Sequence, residues 1–328
     1  TATVYVTYRL ALRVWDRRTG LLAACFMALC YLHVRDSHFG TTDVAATFFT
    51  LCAVLAGIKV MDRGLHRDYV TAGLLLGLAT ATKYGAVFAA LPLLFAHGCR
   101  RQAGGDSAGR LKTDPKLILA GICFVGAFLA VCPYSLLDFG TFRAHFISEM
   151  SHLARGHAPF SGIQNLGRGW WYHLTCTLPL GTGWPMLFGG IAGLALLTRS
   201  RPRWGVFLLL YPLIYYLVSG KGYTVFVRYM IPVLPFLCLG SACTVTRLAN
   251  RMGTERKRRM ALACLSAAFL LQPATNVVMF DTLLCRTDNR LLVADWLKEN
   301  VSPERTLVQT GLANGQVILP PGFAGFRT

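Results

Sequence analysis

The sequence predicts an all-α polytopic membrane protein, and three observations carry that reading. Its 328 residues are 54% hydrophobic and only 15% charged, with a mean hydropathy of +0.47. Soluble domains carry about 25% charged residues. The apolar residues also fall in blocks, and a membrane helix needs about 20 mostly apolar residues to cross about 30 Å of hydrocarbon, or ~17 for a short span. Finally, the basic residues alternate with those blocks. Ten blocks are read as spans: 1–16, 21–34, 43–61, 69–82, 85–99, 116–137, 184–198, 204–219, 229–247 and 260–280. Several are short, and their ends must borrow neighbouring residues.

The net charge of +18 is a matter of topology. The alternate loops 9–18, 59–67, 100–116, 199–203 and 247–259 hold 21 of the 33 Lys and Arg residues. The positive-inside rule makes that side cytoplasmic. A basic face for nucleic acid would not alternate with spans, so no nucleic-acid partner is expected. Six of the eight histidines then fall in or beside external loops, which directs the search for function to the external face of the cytoplasmic membrane. The eleven cysteines are scattered without a C-x-x-C pair, so neither a disulfide framework nor a zinc site is expected. The chain opens at Thr1 inside an apolar run, without Met or signal peptide, and stops at Thr328 without a closing element. It reads as a fragment.

The first span gathers Arg9, Arg13, Arg17 and Arg18 at its cytoplasmic end, and Gly20–Val34 returns outward. Arg35–Asp43 follows as an external loop. It packs two acids, a base, a histidine and three hydroxyls between two apolar runs, so chemistry is expected beside it. Thr41, Thr42 and Asp43 read as a helix N-cap and first turn. Asp43 is therefore either a cap or a functional acid, and the two are compatible because a helix N-terminus is also an anion site.

Residues 69–99 form an apolar hairpin broken only by Lys83-Tyr84-Gly85, on the outer side. A lone lysine there is a functional-site hypothesis by default; the alternative is a side chain snorkelling to the headgroups. The polar linker 100–116 has no phosphate-loop pattern and reads as a tether.

The longest external connection is 138–183. Within Phe142–Arg155, at about 100° per residue, Phe142, Phe146, Met150 and Leu153 share one stripe. His145, Glu149 and His152 share the adjoining one. This predicts an amphipathic helix on the outer leaflet, ended by Gly156-His157-Ala158-Pro159. His and Glu one turn apart are plausible metal ligands, but a solvated polar face has the same pattern, and no metal site is assigned. Trp170, Trp171, Tyr172 and Trp184 read as an interfacial aromatic belt, with a sugar-stacking platform as the sharper alternative.

The turn Ser219–Met230 puts Lys221, Tyr223, Arg228 and Tyr229 at the outer mouth, as a basic aromatic anchor or a ligand site. Pro232 and Pro235 open the next span, where neighbours re-satisfy the freed backbone groups. Two regions follow from this reading, a membrane region 1–280 and an external segment 281–328. The latter carries an amphipathic stretch (Leu291, Leu292, Trp296, Leu297) and a strand-like Arg305–Thr310. It reads as the start of a small α/β domain.

Cations at three external loops suit one anionic ligand, most simply a phosphate, with Lys as a point charge and Arg as a fork. A phosphate leaving group needs charge stabilisation rather than an acid, and an Asp accepting a hydroxyl proton would activate the nucleophile.

Arg35-Asp-Ser-His38-Phe-x-x-x-Asp43 before an Ala/Phe-rich span resembles the bacterial and archaeal protein mannosyltransferase-like glycosyltransferases, which include the lipid A aminoarabinose transferases. The resemblance is thus to the GT-C membrane class, glycosyltransferase family 39. The other pieces come in order: Ala-Thr-Lys83-Tyr84, Glu149-x-x-His152-x-x-x-Gly-His157, Lys221 with Arg228-Tyr229-x-x-Pro-x-x-Pro, and Asp288-x-Arg290-x-x-x-x-Asp295-Trp296-Leu297. The resemblance covers essentially the whole chain, and it rests on the order of motifs that are weak singly.

The resemblance implies a GT-C helical bundle in the inner membrane. It also implies a polyprenyl-phosphate-linked sugar as donor, and inverting displacement onto a hydroxyl of an acceptor protein, lipid or glycan. Lys83, Lys221 and Arg228 would hold the lipid phosphate, and His38 and Asp43 would line the sugar or acceptor side. Arg35, Glu149, His152, His157 and Tyr229 would complete the substrate-binding set. No cofactor is firmly implied. The family's main catalytic acid lies in the first external loop, upstream of Thr1, so Asp43 is a secondary candidate and the fragment alone is expected to be inactive. Two rival readings are a transporter or flippase for a lipid-linked sugar and a non-catalytic lipid-phosphate-binding membrane protein. The first calls for mid-span polar residues and often for repeat symmetry, whereas these charges cluster at the outer ends.

Overall fold

A computed structural model describes residues 2–103, 114–155, 166–309, 317, 319, 321–323 and 325–327. Two compact units are present, one of Thr1–His157 with Gln164–Val277 and one of Ala158–Ile163 with Val278–Thr328.

The first unit is helical. It begins with α1 (Ala2–Val14), α2 (Arg17–Ala28), α3 (Tyr31–His38), α4 (Thr42–Asp62) and α5 (His66–Thr82). A 3₁₀ turn (Tyr84–Ala89) leads into α6 (Ala90–Ala103). Next come α7 (Pro115–Val131), α8 (Tyr134–Leu137) and α9 (Phe139–Arg155). Then α10 (Gly169–Tyr172), a π turn (His173–Thr177) and α11 (Leu178–Thr182) lead into α12 (Trp184–Ser200) and α13 (Pro202–Ser219). A 3₁₀ segment (Val227–Val233) opens α14 (Leu234–Asn250), and α15 (Glu255–Leu284) belongs to this unit up to Val277.

Local chemistry sets these boundaries. Asp16 accepts the Thr19 N–H at 2.9 Å to cap α2, and Asp114 accepts the Lys116 N–H at 2.8 Å ahead of α7, whose first residue is Pro115. Both devices satisfy donors that a helix start leaves over.

Small residues bring the helices together. A Cβ on Gly73 or Gly77 of α5 would run into the backbone oxygens of Ala120 or Phe124 on α7. A Cβ on Gly193 of α12 would collide with the Gly240 carbonyl of α14. That close approach lets the Ser241 and Thr244 hydroxyls donate to the carbonyls of Met186 and Gly189, each at 2.7 Å. Small residues and interhelical hydroxyls are how helices associate in lipid, where apolar burial alone gives little drive.

Several loop cations bind carbonyls at or just beyond helix C-termini. Arg201 donates to the Val14 carbonyl at 2.8 Å and Arg203 to that of Met61 at 2.8 Å. Lys116 reaches the Gly64 carbonyl at 2.9 Å. The two arginine bonds satisfy carbonyls in the last turns of α1 and α4, and all three cations complement the dipoles there.

Helix length differs from expectation. Among the described residues, Thr42–Asp62, Val227–Asn250 and Glu255–Asn300 are long and apolar enough to cross a membrane, with a fourth span if Gly169–Thr182 and Trp184–Ser200 count as one, bent by 106°. The blocks read as spans at 1–16, 21–34, 69–82, 85–99 and 116–137 give helices of 12 to 17 residues. At 1.5 Å per residue these are about 18 to 26 Å long, short of about 30 Å of hydrocarbon.

Two loop assignments are corrected. Arg35–Asp43 is not one external loop: its first half is the last turn of α3, its end is the first turn of α4, and Phe39, Gly40 and Thr41 connect them, with Gly40 at φ 63°. The stretch read as the 138–183 loop contains a broken helix, Gly169–Thr182, in which His173, Thr177 and Thr182 are buried. It turns into α12 at Gly183, whose φ of 76° suits a residue without a Cβ.

The second unit includes α16 (Asn289–Asn300), capped by Asp288 accepting the Arg290 N–H at 2.8 Å. Strand β1 (Leu307–Gln309) pairs in parallel with β2 (Gly325–Arg327), Val308 opposite Phe326.

Candidate functional site

At the start of α4, Asp43 sits in the first helical turn with its side chain only 3% exposed. It is not the N-cap; that position is Thr41, whose hydroxyl donates to Asp36 at 3.3 Å instead. Asp43 Oδ1 forms an ion pair with Lys83 Nζ, and Asp43 Oδ2 lies 3.7 Å from Arg228 Nε. The two cations stay 24% and 44% exposed. The acid is thus covered while its partners present surface outward. Lys83 Nζ also stands 4.5 Å from the Tyr229 ring centroid, a cation–π contact that orients the ammonium.

Each position has a local cause. Lys83 follows the last turn of α5 with extended backbone (φ −158°, ψ 124°), which swings it out of the helix line. Gly85 follows because a Cβ there would stand 2.8 Å from the Tyr215 ring. Arg228 and Tyr229 lie on the 3₁₀ segment ahead of α14, where Pro232 withholds an N–H.

These residues border a polar cavity of about 400 Å³, with Thr42, Tyr84, His145 and Glu149 also in its wall. Against it lies an apolar groove of about 540 Å³. Lys83, Tyr84, Glu149 and Tyr229 border both spaces. The groove wall of α9 is the apolar stripe Phe142, Phe146, Met150 and Leu153, facing Phe88, Phe124 and Phe128. Phe142 and Phe146 pack edge-on to the Tyr84 ring, with centroids 6.2 and 5.2 Å away. The predicted amphipathic helix therefore turns its apolar stripe to the groove and His145 and Glu149 to the polar cavity.

Other candidate residues lie elsewhere. Arg35 pairs with Asp36 at 2.8 Å, and His38 Nδ1 bonds the Val34 carbonyl of its own helix at 3.0 Å. Neither borders the cavity, and neither do His152 or Lys221, the latter exposed. His157 lies outside the described residues. Asp36 is buried, and burial raises its carboxyl pKa above the usual value, against the opposing pull of Arg35. Among the described residues no group of three or more His, Cys, Asp or Glu could hold a metal ion. Phe88, Phe124 and Phe128 of the facing groove wall carry no signal in the sequence, and Tyr84 has only that of the Lys83-Tyr84-Gly85 break.

Residues 1–131 match the model of the dolichyl-phosphate-mannose-protein mannosyltransferase family. ArnT from Cupriavidus metallidurans, bound to undecaprenyl phosphate, superposes with a TM-score of 0.61 at 15% identity, over 96% of this chain and 68% of that one. The fold is that of the GT-C glycosyltransferases. The Archaeoglobus fulgidus oligosaccharyltransferase in its apo form gives a TM-score of 0.54 at 14% identity, over 92% of this chain. AglB from the same organism, in complex with an inhibitory peptide and a dolichol-phosphate, gives 0.53 at 14% identity over 92%. The chain spans 46% of each of these archaeal proteins. By sequence, no curated protein matches. The solved structures show the fold, and the apolar helices are those of a multi-pass membrane protein.

Proposed function

We propose that this chain is a membrane glycosyltransferase that moves a sugar from a polyprenyl-phosphate-linked donor to an acceptor hydroxyl on the external face of the cytoplasmic membrane. One observation carries the reading: a polar cavity with two cations adjoins an apolar groove and shares Lys83, Tyr84, Glu149 and Tyr229 with it. A lipid phosphate has that division, an isoprenoid chain ending in an anion. The ligands of two structures of this fold, undecaprenyl phosphate and a dolichol-phosphate, are of that chemistry.

In this reading the chain lies along Phe142, Phe146 and Phe128, and the phosphate meets Lys83 and Arg228 beside the N-terminus of α4. The acceptor hydroxyl oxygen attacks the anomeric carbon on the face opposite the phosphate, with inversion, and its proton passes to a carboxylate of the cavity wall such as Glu149. The bond to the phosphate oxygen breaks, and its electron pair leaves on the phosphate. Lys83 and Arg228 stabilise that growing charge, which is worth most where water is excluded. His145 and Glu149 border the same cavity and can accept or donate hydrogen bonds to sugar hydroxyls. Lys221 serves as an outer cation that steers the anionic headgroup inward.

The test is transfer from a radiolabelled polyprenyl-phosphate sugar by the full-length protein in membranes. Lys83→Ala and Arg228→Ala are each expected to lower turnover by about 10²-fold or more with membrane insertion unchanged. Wild-type turnover in both variants would remove the phosphate assignment.

A further inference from the structure

Asp43 poses a problem that the phosphate reading does not solve. Two cations and a helix N-terminus already form a complete anion site, yet a carboxylate is built among them. It is 3% exposed, it is ion-paired to Lys83, and it stands 3.7 Å from Arg228. A lone buried acid there would be costly, so its partners are part of its own stability. Any phosphate that binds Lys83 and Arg228 draws on the charge that Asp43 is using.

We propose that Asp43 is an internal competitor of the lipid phosphate, a positioning residue that keeps the cation pair from retaining its product. The proposal rests on the lipid-phosphate reading. Its chemical basis is the change of charge during transfer. A sugar phosphodiester carries one negative charge, and the monophosphate left behind carries more at neutral pH. The unopposed cation pair would therefore hold product more tightly than donor. A fixed carboxylate repels the product's extra charge and offers Lys83 and Arg228 an alternative partner as the lipid leaves. Asp43 also keeps both cations within the cavity wall between turnovers, so that the site is ordered when the next donor arrives.

The experiment titrates farnesyl phosphate, a short isoprenoid monophosphate, into the purified full-length protein and into three variants. Lys83→Ala and Arg228→Ala are expected to weaken binding by about tenfold or more. Asp43→Asn keeps the shape and removes the charge; it is expected to tighten binding by about tenfold and to slow multiple-turnover transfer relative to a single turnover. If the lysine and arginine variants weaken binding but Asp43→Asn binds equally or more weakly, the phosphate site stands and the competitor role is overturned. If neither cation variant changes affinity, both ideas fail together. Infrared difference spectra of the unmodified protein give a readout that does not depend on the variant folding. Farnesyl phosphate should shift a carboxylate stretch as Asp43 loses its partners, and an unchanged carboxylate region overturns the proposal.

Discussion

The Thr224 hydroxyl donates to the backbone carbonyl of His152 at 2.6 Å. Beside it the Tyr223 N–H reaches the Leu153 carbonyl at 3.1 Å. Helices leave their last carbonyls without partners, and here those of α9 are taken up by the turn that precedes Arg228 and Tyr229. The latch joins the two walls of the candidate site, because α9 supplies Phe146 and Glu149 on one side. Gly222 allows the approach, since a Cβ there would press on Leu153.

Thr224→Val keeps the volume and removes the donor. One hydrogen bond contributes about 0.5–1.5 kcal/mol, so binding of undecaprenyl phosphate is expected to weaken about 2- to 13-fold. Helix content by circular dichroism should not change. Unaltered affinity would mean that the turn is held by its backbone bonds alone.

The groove predicts a dependence on chain length. Phe146→Ser removes an aromatic wall and is expected to weaken undecaprenyl phosphate binding about tenfold while leaving binding of inorganic phosphate nearly unchanged. Equal losses for both would place the effect at the cations rather than the groove.

The crossing of α12 and α14 predicts a packing defect. Gly193→Leu inserts a side chain where the Gly240 carbonyl already lies. Overpacking of this kind costs about 1–3 kcal/mol, and it also parts Thr244 from the Gly189 carbonyl. A lower melting temperature in detergent is expected, whereas Gly98→Leu, with open space around it, should leave the temperature within error.

Asp36 predicts a pH dependence. Burial raises its pKa in the folded protein, so the folded state binds the proton more tightly than the unfolded one. Stability therefore rises as pH falls from the raised value toward the ordinary carboxylate value, and levels off below it. The melting temperature of the unmodified protein, measured against that of Asp36→Asn, should increase over that window. An unmodified protein whose melting temperature falls relative to that of Asp36→Asn on acidification would show that the Arg35 ion pair outweighs burial.

Much of the site could be seen in the residues themselves. Lys83, Asp43 and Arg228 stand out because a charge beside long apolar runs is expensive and must be put to use. The stripe Phe142, Phe146, Met150 and Leu153 could be counted out at helical spacing, and it lines the groove. Arg35 and His38 looked equally promising, but each is taken up locally, one by Asp36 and the other by the Val34 carbonyl. Their residue types were as suitable as those of the cavity wall; only direction separates them, and a turn of one residue moves a side chain about 100° around a helix.

The sequence by itself determined a helical membrane protein and a short set of charged candidates. Each of these follows from the cost of placing charge and backbone polarity in hydrocarbon, which is a property of composition and spacing. Tertiary structure alone decided which apolar blocks became short helices, that the 35–43 stretch is two helix ends, and that Asp43 lies between Lys83 and Arg228. Those pairings join positions 40 and 185 residues apart. They depend on glycine-mediated crossings and on the turn latched to α9, packing events that no local pattern encodes.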